Sequence, residues 1–128
     1  MNDTFGGGLI IRNRDDLVLL VKGTSGKWSF PKGGTEPCDT DFLSTAIREC
    51  FEEIGLMAGI DYYLLNDAPF TCLDRTYYFA RMYDISNEYI KLKEKEIIDY
   101  RWHNPIDSCH YWKDLNIGVR RYMKMMQH

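Results

Sequence analysis

No apolar run in this sequence approaches the ~20 residues that a bilayer crossing needs. The first residues, Met1-Asn2-Asp3-Thr4, lack the basic and then apolar stretches of an export leader. Cysteine is scarce and irregular. Cys38, Cys50, Cys72 and Cys109 form no CxxC pair, so neither a zinc site nor a disulfide framework is indicated. Cys109-His110 with His103 makes a poor metal cluster. These absences lead us to expect reduced thiols in an intracellular, cytoplasmic protein with no membrane partner. Positive charge is also in short supply: 16 Lys and Arg against 19 Asp and Glu leave a net charge of −3. That argues against nucleic-acid binding over the whole surface and leaves room for a local basic patch. There are no repeats, low-complexity stretches or linkers. The 128 residues, 45% hydrophobic and 27% charged, suit one compact domain over residues 1–128.

The most informative stretch is residues 27–56, KWSFPKGGTEPCDTDFLSTAIRECFEEIGL. Glu49, Glu52 and Glu53 stand at i, i+3 and i+4, a spacing that brings them onto one side of a helix, within reach of a shared cation. Leu43, Ile47, Cys50 and Ile54 recur at helical spacing and mark a different, buried face. The three carboxylates repel one another unless positive charge sits among them. Arg48, four residues before Glu52, is one source, and a divalent metal is the other. Carboxylate oxygens suit a hard ion, magnesium or manganese. A Glu-rich helix face is ordinarily a solvated face, but the frame here is distinctive. A turn with Pro31, Lys32, Gly33 and Gly34 leads in, and Gly55 stands where a left-handed C-terminal cap is expected.

Arg48-Glu49-Cys50-Phe51-Glu52-Glu53-Ile54-Gly55-Leu56 resembles the second half of the Nudix hydrolase signature. That signature is Gly, five residues, Glu, seven residues, then Arg-Glu-U-x-Glu-Glu-x-Gly-U, with U bulky and apolar. The first half departs. Counted back from Arg48, the Glu position holds Thr40 and the Gly position holds Gly34. Counted forward from Gly33, the Glu position holds Asp39, with one extra residue before the helix. The second register is preferred, because PKGGTEP reads as the family loop with an insertion.

The flanking sequence reads as strands. FGGGLII (residues 5–11) and Leu17–Val21 make a hairpin, and Trp28–Phe30 is a short extended piece held out of helix by Pro31. The helix should run from about Asp41 to Ile54, with Asp41 or Thr40 as N-cap. Tyr62–Asn66, Phe70–Leu73, Arg75–Tyr83 and Glu96–Trp102 follow as strands. On the third of these, Tyr77 and Phe79 share one face, and Tyr78, Ala80 and Met82 the other. One face should be core, and a ring on the other could stack on a base. Ser86–Lys95 reads as a loop and Leu115–Met126 as a terminal amphipathic helix bearing Arg120, Arg121 and Lys124, which could steer an anion.

The resemblance implies a Nudix-type α/β/α sandwich, with a mixed sheet and the signature loop–helix–loop. It implies divalent-metal-dependent hydrolysis of a diphosphate linkage in a nucleoside diphosphate bonded to a further group. The expected metal ligands are Glu49, Glu52, Glu53 and Glu96, with Mg2+ or Mn2+ as cofactor. Catalysis is expected from Glu53, Glu52 or Glu96 as base, with Arg48 orienting its neighbours; Glu94 competes with Glu96. Substrate contacts are expected from Lys32, Gly33, Gly34, Tyr77 and Phe79. The resemblance points first to a dinucleoside polyphosphate such as diadenosine tetraphosphate, from PKGGTEP followed by EIIDYRW. Messenger-RNA decapping on a capped RNA, a diphosphoinositol polyphosphate hydrolase, and a nucleotide- or RNA-binding Nudix domain without catalysis are the alternatives. Either a monomer or a homodimer is compatible.

Overall fold

The computed structural model describes residues 5–83, 90–106 and 112–126. In chain order the elements are β1 (Gly6–Arg12), β2 (Val18–Gly23), β3 (Trp28–Ser29), β4 (Lys32–Gly34), α1 (Phe42–Ile54), β5 (Tyr62–Leu64), β6 (Phe70–Cys72), β7 (Arg75–Met82), β8 (Ile97–His103) and α2 (Ile117–Met126). A 3-10 turn, Trp112–Asp114, precedes α2. The sheet runs β3-β2-β1-β7-β5, with β4 pairing β1, β6 pairing β7 and β8 pairing β2. β1 and β7 are parallel and the other pairs antiparallel, so the sheet is mixed. Neither described helix is long and apolar enough to cross a membrane.

A helix covers each face of the sheet. On one side Leu9, Ile11, Leu19, Val21 and Ala80 pack against Ala46, Cys50 and Ile54 of α1. On the other Ile10, Val18, Leu20 and Tyr77 pack against Val119, Tyr122 and Met123 of α2. Burial on both faces is why the first two strands read as unbroken apolar runs, LII and VLLV, rather than alternating ones. It also corrects one expectation. Tyr77 has no free ring face to stack on a base: it is 2% exposed, with its ring against Phe30 and Phe70. Phe79 packs on Tyr122 in the same core. Tyr78 and Phe79 are half-buried, each packed against one of the two cores.

The signature helix is Phe42–Ile54, with Asp41 as N-cap accepting from the Ser44 N–H at 2.7 Å and Gly55 as left-handed C-cap. Its buried side is Thr45, Ala46, Cys50, Glu53 and Ile54; Leu43 and Ile47 are half-buried. Glu53 therefore lies on the core side of the helix. The carbonyls of Glu53 and Ile54 accept N–H bonds from Lys93 and Lys91 at 3.0 Å. Two carbonyls that the helix end leaves unpaired thus fasten residues 91–93 and fix where Glu94 stands. The basic end of α2 is partly engaged: Arg120 donates to the Trp112 carbonyl at 2.9 Å, and the Lys124 ammonium lies over the Trp112 ring. Of the weak soft-ligand group, His103 is buried at the end of β8, and Cys109 and His110 lie outside the described residues.

Candidate active site

Arg48 is the hub. Its Nε and Nη2 donate to the two carboxylate oxygens of Asp39, both at 2.9 Å, and Nη2 also donates to the Gly34 carbonyl at 3.0 Å. Nη1 donates to Glu52 at 2.9 Å and Glu49 at 3.2 Å. Asp39 is 3% exposed and also accepts from the Thr45 hydroxyl and the Glu36 N–H, each at 2.9 Å. Arg48 hydrogen bonding holds the Asp39 carboxyl well below the usual carboxylate range. The preferred register is thus the one the structure uses: Asp39 faces Arg48, while Thr40 is exposed and bonded to Ser44. The extra loop residue carries the shorter acid to the guanidinium.

Glu49 rests over β4. A Cβ on Gly33 would overlap the Glu49 carboxylate, so a glycine there gives that carboxylate its place. Oxygens of Glu49, Glu52 and Glu94 all lie within 4.8 Å of one another. Glu53 is 7% exposed and its Oε1 has no hydrogen-bond partner. Glu53 also borders a cleft of about 330 Å³ whose wall includes Lys32, Glu96, Thr24, Ser29 and Asn116. Of the four carboxylates expected around one ion, Glu49 and Glu52 cluster with Glu94, and Glu53 lies near enough to both Glu49 and Glu94 to feel their charge. Glu94 rather than Glu96 completes the cluster with Glu49 and Glu52, and Glu96 stands with Glu53 and Lys32 in the adjoining cleft.

The electrostatics follow from this crowding. Burial, reinforced by Glu52 and Glu94, pushes Glu49 up to about 7, with Arg48 opposing. Burial, then Glu49 and Glu94, push Glu53 up to about 8, with Lys32 opposing. Burial, then Glu52 and Glu96, raise Glu94 as well. Burial, then Arg75, lower the Lys32 ammonium. Oxygen-only donors, mutual repulsion and an orphaned buried carboxylate oxygen fit a hard divalent cation. Of the residues expected to contact substrate, Lys32 borders the cleft, Gly33 lies against the Glu49 carboxylate and the Gly34 carbonyl accepts from Arg48, whereas Tyr77 and Phe79 are not among the residues lining the cleft. Sequence reasoning did not single out Asn116 or Arg75. The placement of Asn116 just before an amphipathic helix was the available signal for the first; nothing local marked the second.

Comparisons with known proteins agree with this geometry. The family model described as the NUDIX domain matches residues 6–122. The nucleoside triphosphatase NudI of Escherichia coli O1:K1 / APEC is 29% identical over 133 residues, covering 94% of this chain and 87% of NudI. The structure of a C. elegans Ap4A hydrolase binary complex superposes with a TM-score of 0.76 at 19% identity, covering 94% of each chain. The NUDIX domain of Shewanella oneidensis NrtR complexed with ADP ribose gives 0.65 at 14% identity, covering 99% of this chain and 88% of that one. At these identities the two structures speak for the fold. With a family match over nearly its whole length and all five charged and glycine positions of the Arg48–Gly55 motif present, the chain belongs to the NUDIX family and is a Nudix pyrophosphohydrolase.

Proposed function

We propose that the chain hydrolyses a diphosphate linkage in a nucleotide carrying a chain of phosphates, with Mg2+ or Mn2+ held at Glu49, Glu52 and Glu94. The observation that carries this reading is the pairing of that three-carboxylate cluster with the Glu53–Lys32 cleft beside it. A bound divalent cation would supply charge neutralisation of the diphosphate and acidification of a water. The chain's own residues do the rest. Arg48 locks Glu49 and Glu52 in place through two of its hydrogen bonds while Asp39 anchors its other edge. Lys32 presents its ammonium to phosphate oxygens at the mouth of the cleft. Glu53, whose buried Oε1 lacks a partner and whose affinity for a proton is raised into the neutral range, takes the proton of the attacking water.

A nucleoside triphosphate is the first substrate reading, because the relative similar along 94% of the chain is named a nucleoside triphosphatase. A dinucleoside polyphosphate such as diadenosine tetraphosphate is the second. It is favoured by the reaction cleft sharing Lys32 and Asn116 with a second cavity, which gives a longer phosphate chain somewhere to go. The test is product analysis in Mg2+ and in Mn2+ on nucleoside triphosphates, diadenosine tetraphosphate, capped RNA, a diphosphoinositol phosphate and ADP-ribose, with Glu53→Gln as control. The expected result is cleavage between phosphates of the first or second substrate and at least a ~100-fold loss in the variant. Nucleotide or RNA binding with no cleavage by wild type would replace this reading with a binding module.

A further inference from the structure

Phe51 stands at a position that the signature leaves open, and it belongs to neither core; it is 40% exposed. What it meets is Lys93, whose ammonium lies 3.9 Å from the centre of the Phe51 ring. The ammoniums of Lys22 and Lys124, by comparison, stand 5.7 Å from the rings below them. The Lys93 stem crosses the helix end to get there: a Cβ on Gly55 would lie 3.5 Å from Lys93 Cδ, an ordinary van der Waals contact. The same residue donates its backbone N–H to the Glu53 carbonyl at 3.0 Å, beside the Lys91 bond to Ile54. The next residue is Glu94. Its carbonyl accepts from the Ile97 N–H at 3.1 Å, and its carboxylate reaches Glu49 and Glu52. Glu94 is thus set among like charges, which in metal-free protein push it away. Residues 91–93 are exposed and form neither helix nor strand, and a stretch tied down by two backbone bonds opens locally at little cost.

We propose that Phe51 is a positioning residue: its ring, by holding the Lys93 ammonium, keeps residues 91–93 against the end of α1 and the Glu94 carboxylate beside Glu49 and Glu52. This rests on the reading of that cluster as the metal site given above. Phe51 is not itself a ligand. It acts through Lys93 on Glu94, so the signature helix places a carboxylate from outside the motif as well as its own. A cation is drawn to the face of an aromatic ring, and leucine fills the same surface without offering one. A ligand already in place binds metal more tightly than one that must be brought in against repulsion.

The experiment reads Mn2+ affinity by electron paramagnetic resonance in wild type, Phe51→Leu, Phe51→Tyr and Glu94→Gln. It also reads amide hydrogen exchange at position 93 in the same proteins free of metal. Phe51→Leu should bind Mn2+ about 2- to 5-fold more weakly, the range for loss of an exposed cation–ring contact, and its Lys93 amide should exchange faster by a similar factor. Phe51→Tyr keeps the ring and should match wild type in both. In a Lys93→Met background, Phe51→Leu should change neither, because the contact is already gone. Mn2+ binding by Phe51→Leu as tight as wild type, or an equal loss in Phe51→Tyr or in the Lys93→Met background, would overturn the positioning role. Glu94→Gln separates that failure from failure of the cluster. It should weaken Mn2+ binding by about 10-fold or more, as for a lost ligand, and unchanged binding there would remove Glu94 from the site and the role of Phe51 with it.

Discussion

Asp39→Ala tests the acid that anchors Arg48. Asp39 receives two parallel bonds from Arg48, one from the Thr45 hydroxyl and one from the Glu36 N–H, all at 2.9 Å. It is 3% exposed, and Arg48 is 17% exposed. Removing one member of a buried ion pair leaves the other charge uncompensated and typically costs ~3–5 kcal/mol. Arg48 keeps Glu49, Glu52 and the Gly34 carbonyl and remains partly solvated, so the lower end applies, ~3 kcal/mol. For a chain of this size that corresponds to a fall in Tm of roughly 10 °C. Urea denaturation at pH 7 measures it directly, and the acid limb adds a second signature. The folded-state pKa of Asp39 is depressed, so its contribution is present above the unfolded carboxylate pKa near 3.8 and is lost as pH falls below it. Wild type should lose stability through that window more steeply than the variant. A loss under ~1 kcal/mol at pH 7, the size expected of an exposed pair, would refute the reasoning.

Two further perturbations separate the roles of the carboxylates. Glu53 has its pKa raised to about 8, so stability that is complete below about pH 4.5 is lost as pH rises through 8 in metal-free protein. Metal-free Glu53→Gln should therefore be more stable than wild type at pH 7, by ~2 kcal/mol, with a flatter profile between pH 5 and 8; a variant equal to wild type across that range would contradict the buried-charge account. Gly33→Ala places a methyl group where the Glu49 carboxylate rests. Mn2+ affinity, read by electron paramagnetic resonance, should drop by about 10- to 100-fold as for a displaced ligand, and unchanged affinity would show that Glu49 has another place to stand.

The legible parts of the chain were those decided locally. The bounds of α1, its Asp41 cap and its Gly55 stop follow from side chains within a few residues of each end. β4 was not legible, because Lys32-Gly33-Gly34 has the composition of a turn. It is a strand because it faces another glycine-rich strand, Gly33 against Gly7 and Gly34 against Gly6, which the local sequence does not announce. The second packed face of β7 could be read only as the commoner fate of an aromatic stripe, for a related reason. A strand reads as one-sided unless the helix on its other side is known, and α2 arrives from the far end of the chain. The choice between Glu94 and Glu96 turned on two long-range bonds, Lys91 and Lys93 N–H to the end of α1. Asp39 was legible only through its spacing from Gly33, and the structure gives the reason that spacing works: the bidentate contact with Arg48.

Glu53 shows how helical periodicity divides labour within one motif. Glu49 and Glu53 are one turn apart and share a side of α1, yet Glu53 is also three residues from Cys50 and seven from Ala46, both fully buried. It therefore sits at the seam between the acidic stripe and the apolar stripe, with its stem against the core and its carboxylate at the cleft. Glu52, on the outer side of the same turn, is bonded to Arg48 and belongs to the solvent-facing cluster. Around Arg48 and Lys32 stand Asp39, Glu49, Glu52, Glu53 and Glu94, more negative charge than two cations offset. Burial first, and then this excess of negative charge, is why Glu49, Glu53 and Glu94 all hold their protons to higher pH than an ordinary carboxyl in metal-free protein. Asp39 does not, because Arg48 already compensates it. The same packing that makes the cluster hungry for positive charge thus exempts the one carboxylate whose work is to hold Arg48 still.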